Sequence, residues 1–116
     1  MRIISQDGTI DVPYNFFSLS VAGGKYKDVE YACIYCHNIS APHGTRLAEY
    51  SSKEKALKAM EMLRETYARI EIIKSLASGT CKHMEESLEP EEFKDILKEY
   101  IGMEVFQFPQ DDEIGV

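Results

Sequence analysis

No apolar run in the 116 residues approaches the length of a membrane span, and the opening Met1-Arg2-Ile3-Ile4-Ser5-Gln6-Asp7-Gly8 is too short in apolar residues for a signal peptide. A cytoplasmic protein is therefore expected. Cysteine is scarce, with Cys33, Cys36 and Cys81 making an odd count, so reduced thiols are expected and a disulfide framework is excluded. Arginine is also scarce: Arg2, Arg46, Arg64 and Arg69 are the whole set. No Gly-rich phosphate loop is present, because Gly23-Gly24 is followed by a charged turn and not by a helix. No serine or cysteine occupies a nucleophile elbow, which argues for a binding protein and against an enzyme.

What is present is ordinary globular material, 44% hydrophobic and 28% charged, with a length that suits one domain spanning residues 1–116. The net charge is −7, and it is uneven. Residues 1–50 hold 4 basic and 5 acidic side chains, against 9 and 15 in residues 51–116. Such a surface repels phosphate backbones, which excludes general nucleic-acid binding, and membrane association is likewise not expected.

The patterning predicts an α+β fold: an N-terminal antiparallel meander sheet, two helices packed on one face, and a C-terminal strand. Ile3, Ser5, Ile10 and Val12 share one face of a hairpin closed by a two-residue Asp7-Gly8 turn, and Pro13 ends its second strand. Phe17, Leu19 and Val21 alternate in a third strand that stops at Ala22-Gly23-Gly24. The central strand runs from Val29 to Asn38, with Ala32, Ile34 and Cys36 inward and Tyr31, Cys33, Tyr35 and His37 outward. Pro42-His43-Gly44 supplies a turn, and Arg46, Ala48 and Tyr50 point one way on the returning strand.

Ser51-Ser52-Lys53-Glu54 reads as a capping box for a helix with the stripe Ala56, Met60, Leu63, Tyr67 and Ile70, flanked by the pairs Glu54 with Lys58 and Glu65 with Arg69. The end of this helix is open, since Ile70, Ile72 and Ile73 also suit a strand. A second helix begins at Glu89-Pro90 and buries Phe93, Ile96, Leu97 and Tyr100. Met103 to Phe108 is the closing strand, and its edge offers a place for self-association into a homo-oligomer.

Cys33-Ile34-Tyr35-Cys36-His37 matches the spacing of a c-type haem attachment site, and Cys81 with His83 or His43 could complete a zinc set. Neither is expected. In an extended strand the two thiols project to opposite faces, and nothing here opens a helix that would activate a redox pair. No metal or cofactor is assigned. The outward set Tyr31, Tyr35 and His37, joined by Arg46 and Tyr50 of the next strand, forms a binding platform of aromatics with a cation.

The opening Met1 to Tyr14, the segment Leu47 to Arg64 and the ending Phe106 to Ile114 resemble a group of small phage and prophage proteins of Firmicutes. Residues 65–105 read as a variable insert. The arrangement of a sheet, two helices and a last strand is similar to that of phage anti-Thoeris sponges, which sequester cyclic ADP-ribose signals. That resemblance implies a non-catalytic counter-defence protein holding a small signalling nucleotide, with Tyr31, Tyr35, His37 and Arg46 as ligand-binding residues. The alternative is an acidic inhibitor that docks on a host defence protein through Glu89, Glu91, Glu92, Asp95 and Glu99.

Overall fold

The computed structural model describes residues 1–77 and 105–115. Within them the chain forms β1 (Arg2–Ile4), β2 (Asp11–Pro13), a 3-10 turn at Tyr14–Phe16, β3 (Ser18–Tyr26), β4 (Val29–Asn38), β5 (Ala41–Tyr50), α1 (Lys53–Ala77) and β6 (Val105–Gln107). The α+β class holds. The strands, however, form two three-stranded sheets and not one, in the orders β2-β1-β6 and β3-β4-β5. Pro13 and the 3-10 turn after it separate the first hairpin from the meander. Among the described residues there is one helix; the second, expected from Glu89 to Tyr100, lies outside them.

The smaller sheet is mixed. Ile3 pairs antiparallel with Val12, while β6 lies parallel to β1 with Phe106 opposite Ile3. The hairpin connection is longer than the expected two residues. Gly8 takes the positive φ, Asp7 does not, and the Asp7 carboxylate instead accepts hydrogen bonds from Ser5 Oγ, Thr9 N and Thr9 Oγ1. These three donors hold Asp7 down at a pKa of about 2, with the Thr9 hydroxyl the largest cause.

In the larger sheet β3 does not stop at Gly23-Gly24. It runs on to Tyr26, paired with Val29, and the turn is made by Lys27 and Asp28, both at positive φ (50° and 67°). Two positive φ values in a two-residue loop define the type I′ geometry that matches strand twist. Pro42, His43 and Gly44 likewise lie inside a strand, because β4 and β5 turn at Ile39-Ser40 and β5 starts at Ala41.

Register shifts accompany this longer strand. Ile34 faces Ala48 and Tyr35 faces Arg46, so Leu47 is the extra residue of a bulge. The bulge corrects one expectation: Ala48 and Tyr50 are buried in the core, whereas Arg46 stands on the opposite, outer face.

Helix α1 crosses the inner face of the larger sheet. Ala56, Ala59 and Leu63 meet Ala32, Ile34, Ala48 and Tyr50, and the alanines allow close approach. The same core continues through Ile3, Val12, Phe106, Phe108 and Ile114, which joins both sheets. Ile70, Ile72 and Ile73 are helical, with Ile70 and Ile73 buried. The helix cap is Ser52, whose Oγ accepts from Lys55 N at 3.2 Å, one residue later than the expected Ser51. Ser51 is engaged elsewhere: its N–H and hydroxyl both donate to the Asp111 carboxylate, which also pairs with Lys55 at 3.1 Å. Lys58 pairs with Glu61 at 3.6 Å rather than with Glu54.

Candidate functional site

Alternation along β4 carries Tyr31, Cys33, Tyr35 and His37 to the outer face of the meander, and carries Ala32, Ile34 and Cys36 under α1. The neighbours of the outer row on β3 are Gly24, Ala22, Ser20 and Ser18, all small. On β5 they are Glu49 opposite Cys33 and Arg46 opposite Tyr35. The sequence-nominated residues Tyr31, Tyr35, His37 and Arg46 therefore share one face, while Tyr50 does not.

Each aromatic in the row is fixed by its neighbours. The Tyr31 ring lies across Gly24, where a Cβ would come within 2.8 Å of the phenol oxygen, and it stays 37% exposed. The Tyr35 phenol is raised above its usual 10.0, chiefly by electrostatic repulsion from Cys33 and by a hydrogen bond with that thiol, with Arg46 pulling the other way. His37 Nε2 is hydrogen-bonded to Ser20 Oγ. Its Nδ1 sits over Gly44, whose φ is +83° and whose missing Cβ would lie only 2.7 Å away, so both the backbone and the contact demand glycine there.

Arg46 Nη1 meets Glu49 Oε2 at 3.4 Å, with both side chains more than half exposed. An exposed pair of this kind is worth well under about 1 kcal/mol, so the guanidinium is available to a ligand. Cys33 and Cys36 are both buried, on opposite faces of the same strand. Burial raises the Cys36 thiol. Their sulfur atoms do not converge on one point, and no group of three metal-ligating side chains occurs among the described residues. Cys81 and His83 lie outside those residues.

The face is open. Three shallow depressions border it, each taking one nominated residue. Tyr31 lines one of about 430 Å³ with Gln6, Glu49 and Asp111. Arg46 lines one of about 380 Å³ with Gln6, Asp7 and Glu49. His37 lines one of about 610 Å³ with Phe16, Phe17, Ser18, Asn38 and Ile39.

Sequence reasoning missed three participants: Ser20, Gly44 and Gln6. Ser20 follows from the β3–β4 register, which is legible only once Lys27-Asp28 is recognised as the turn. Gln6 has no local signal at all. Its N–H donates to Leu47 O at 2.8 Å, its side-chain carbonyl accepts from Glu49 N at 2.9 Å, and its amide donates to Pro109 O at 3.1 Å. It thus ties the rim of the outer face to the smaller sheet and the C-terminal segment. No protein-family model, curated protein or solved structure matches this chain.

Proposed function

We propose that this chain is a non-catalytic binding protein that docks on a partner protein through the outer face of β3-β4-β5. Its contact residues are Tyr31, Tyr35, His37 and Arg46. The observation that carries this reading is the openness of the face: the four residues line up on one side of the meander, yet Tyr31, His37 and Arg46 fall in three separate shallow depressions and Tyr35 lines none of them. Tyrosine and arginine on an accessible, rigid sheet are the side chains that dominate protein–protein contacts. A small nucleotide gains its affinity from enclosure, which three separate depressions do not provide.

The resemblance to phage and prophage proteins supplies a context, in which the partner is a host defence protein and the outcome is counter-defence. The Tyr35–Arg46 pairing favours a second reading. A ring beside a guanidinium is an arrangement on which a base stacks and a phosphate pairs, as sequestration of a cyclic nucleotide signal requires.

The two readings separate in one set of measurements. A thermal-shift screen against cyclic nucleotides and cyclic ADP-ribose isomers is expected to leave the melting temperature unchanged, since a ligand bound to the folded state alone must raise it. Affinity capture from host lysate is expected to recover one host protein with the native chain and to lose it with the double variant Tyr35→Ala, Arg46→Ala. A melting temperature raised by a nucleotide, and lowered again in that variant, would replace docking by sequestration. Capture that ignores both substitutions would remove the outer face from the function.

A further inference from the structure

The outward edge of β3 is unpaired among the described residues. The Tyr26–Val29 pair closes a two-residue hairpin loop, so it and every second pair after it exchange hydrogen bonds within β3–β4. The N–H and C=O groups of Lys25, Gly23, Val21 and Leu19 consequently point away from β4. The strand holds no proline, and Lys25 is its one charged side chain, so this edge is free of the acidic residues that give the chain its net −7. Edge strands are ordinarily blunted by proline or by charged side chains, and here Lys25 near one end is the single such device.

We infer that two chains pair antiparallel along β3 about a two-fold axis at Ala22. In that register Leu19 meets Lys25 of the second copy and Val21 meets its Gly23, which satisfies every outward group. Only an even register of this kind is self-complementary.

A second observation selects the same arrangement. Ser18 and Tyr26 lie at opposite ends of β3 on its outer face, and the pairing places Tyr26 of one copy directly beside Ser18 of the other. Tyr26 is 69% exposed. Ser18 lines the cleft of about 610 Å³ whose walls include Phe16, 74% exposed, and Ile39, fully exposed. The exposed ring at one end of the strand thus reaches the shallow depression at the other, where Phe16 and Ile39 are its apolar contacts among polar neighbours, and the two-fold axis occupies both depressions at once.

Strand pairing with two such rings covers on the order of 1,000 Å², at the lower end of specific interfaces, so a dimer that dissociates on dilution is expected. It leaves Tyr31, Tyr35 and Arg46 uncovered but brings Tyr26 of the second copy beside His37, so the dimer and the docking face share that one residue.

Sedimentation of the full chain across a concentration series tests this. A monomer–dimer equilibrium is expected, weakened at least about tenfold by Gly23→Pro, which removes one outward N–H. Gly23 is extended, a Cβ there meets Tyr31 O at an ordinary 3.6 Å, and its N–H points away from β4 on an edge strand, the position in a sheet where proline is tolerated, so the β3–β4 pairing is expected to be retained. Tyr26→Ser, at an exposed site that folding does not need, is expected to weaken the dimer likewise. In a Cys33→Ala background, Ala22→Cys brings two thiols together across the axis at a spacing suited to a disulfide, and oxidation at a concentration where the dimer is populated is expected to yield a covalent dimer that persists on dilution. A monomer at every concentration overturns the inference, as does a dimer that withstands both Gly23→Pro and Tyr26→Ser or fails to cross-link through residue 22.

Discussion

Asp7 is an exposed carboxylate held by the donors of its own turn, and the sign of its effect on stability follows from that. Its pKa is lowered from 3.8 to about 2, so its ionised form is favoured by folding. The contribution is complete above pH 4 and is lost as the pH falls towards 2. Asp111, lowered chiefly by the Ser51 N–H, acts in the same direction. Asp7→Asn is expected to lower the melting temperature at pH 7 and to converge on the native value towards pH 2, which flattens the acid limb between pH 4 and pH 2. An unchanged acid limb would mean that Asp7 is not held in solution as described. At this scale the sequence was partly legible. Asp7-Gly8 announced a turn and Ser51-Ser52-Lys53-Glu54 a cap, but which serine capped α1 depended on Asp111, about sixty residues away, claiming Ser51. Tyr50 illustrates the same limit. Its hydroxyl donates to Pro109 O at 2.8 Å and burial raises its pKa, a role that no feature near residue 50 signals.

Among the elements, β4 and α1 were readable because each carries a strong period. The alternation from Val29 to Asn38 gave the strand its observed bounds and sorted Tyr31, Tyr35 and His37 from Ala32, Ile34 and Cys36. The stripe Ala56, Met60, Leu63, Tyr67 and Ile70 gave the helix its buried side. The strands flanking β4 were misread where glycine and proline occur, because those residues mark turns only when no long partner strand is available. Gly23-Gly24 is held extended against β4, and Pro42-His43-Gly44 lies within β5 at the irregularity between the Cys36–Thr45 and Asn38–Ala41 pairs. In the actual turn, Lys27-Asp28, Asp28 tolerates its positive φ better than Lys27 does, and neither is glycine. Replacing it by Asn-Gly is expected to stabilise the hairpin by about 1 kcal/mol, raising the melting temperature by roughly 4 °C. A lower melting temperature would show that Lys27 or Asp28 makes a contact that offsets the strain.

Over the whole molecule, two small sheets act as one body because a few side chains bridge them. Gln6 is the principal bridge, and Gln110 reinforces it by donating to Gln6 O at 2.7 Å. Gln6→Ala removes two side-chain hydrogen bonds and leaves Glu49 N–H without its acceptor, so a loss of roughly 1–3 kcal/mol in urea unfolding is expected. Amide exchange should quicken first along β5 and β6. Uniform quickening across both sheets, or none, would mean that the apolar core alone couples them. The parallel pairing of β1 with β6 carries a consequence in time. Ile3 and Phe106 are neighbours in space but about a hundred residues apart in the chain, and a ribosome adds roughly 5–20 residues each second. For roughly 5–20 s a nascent β1 has only β2 beside it, while the meander and α1 already have every strand they need. The larger sheet can therefore form as the chain emerges, and the smaller one must close last, after synthesis has delivered the strand that completes it.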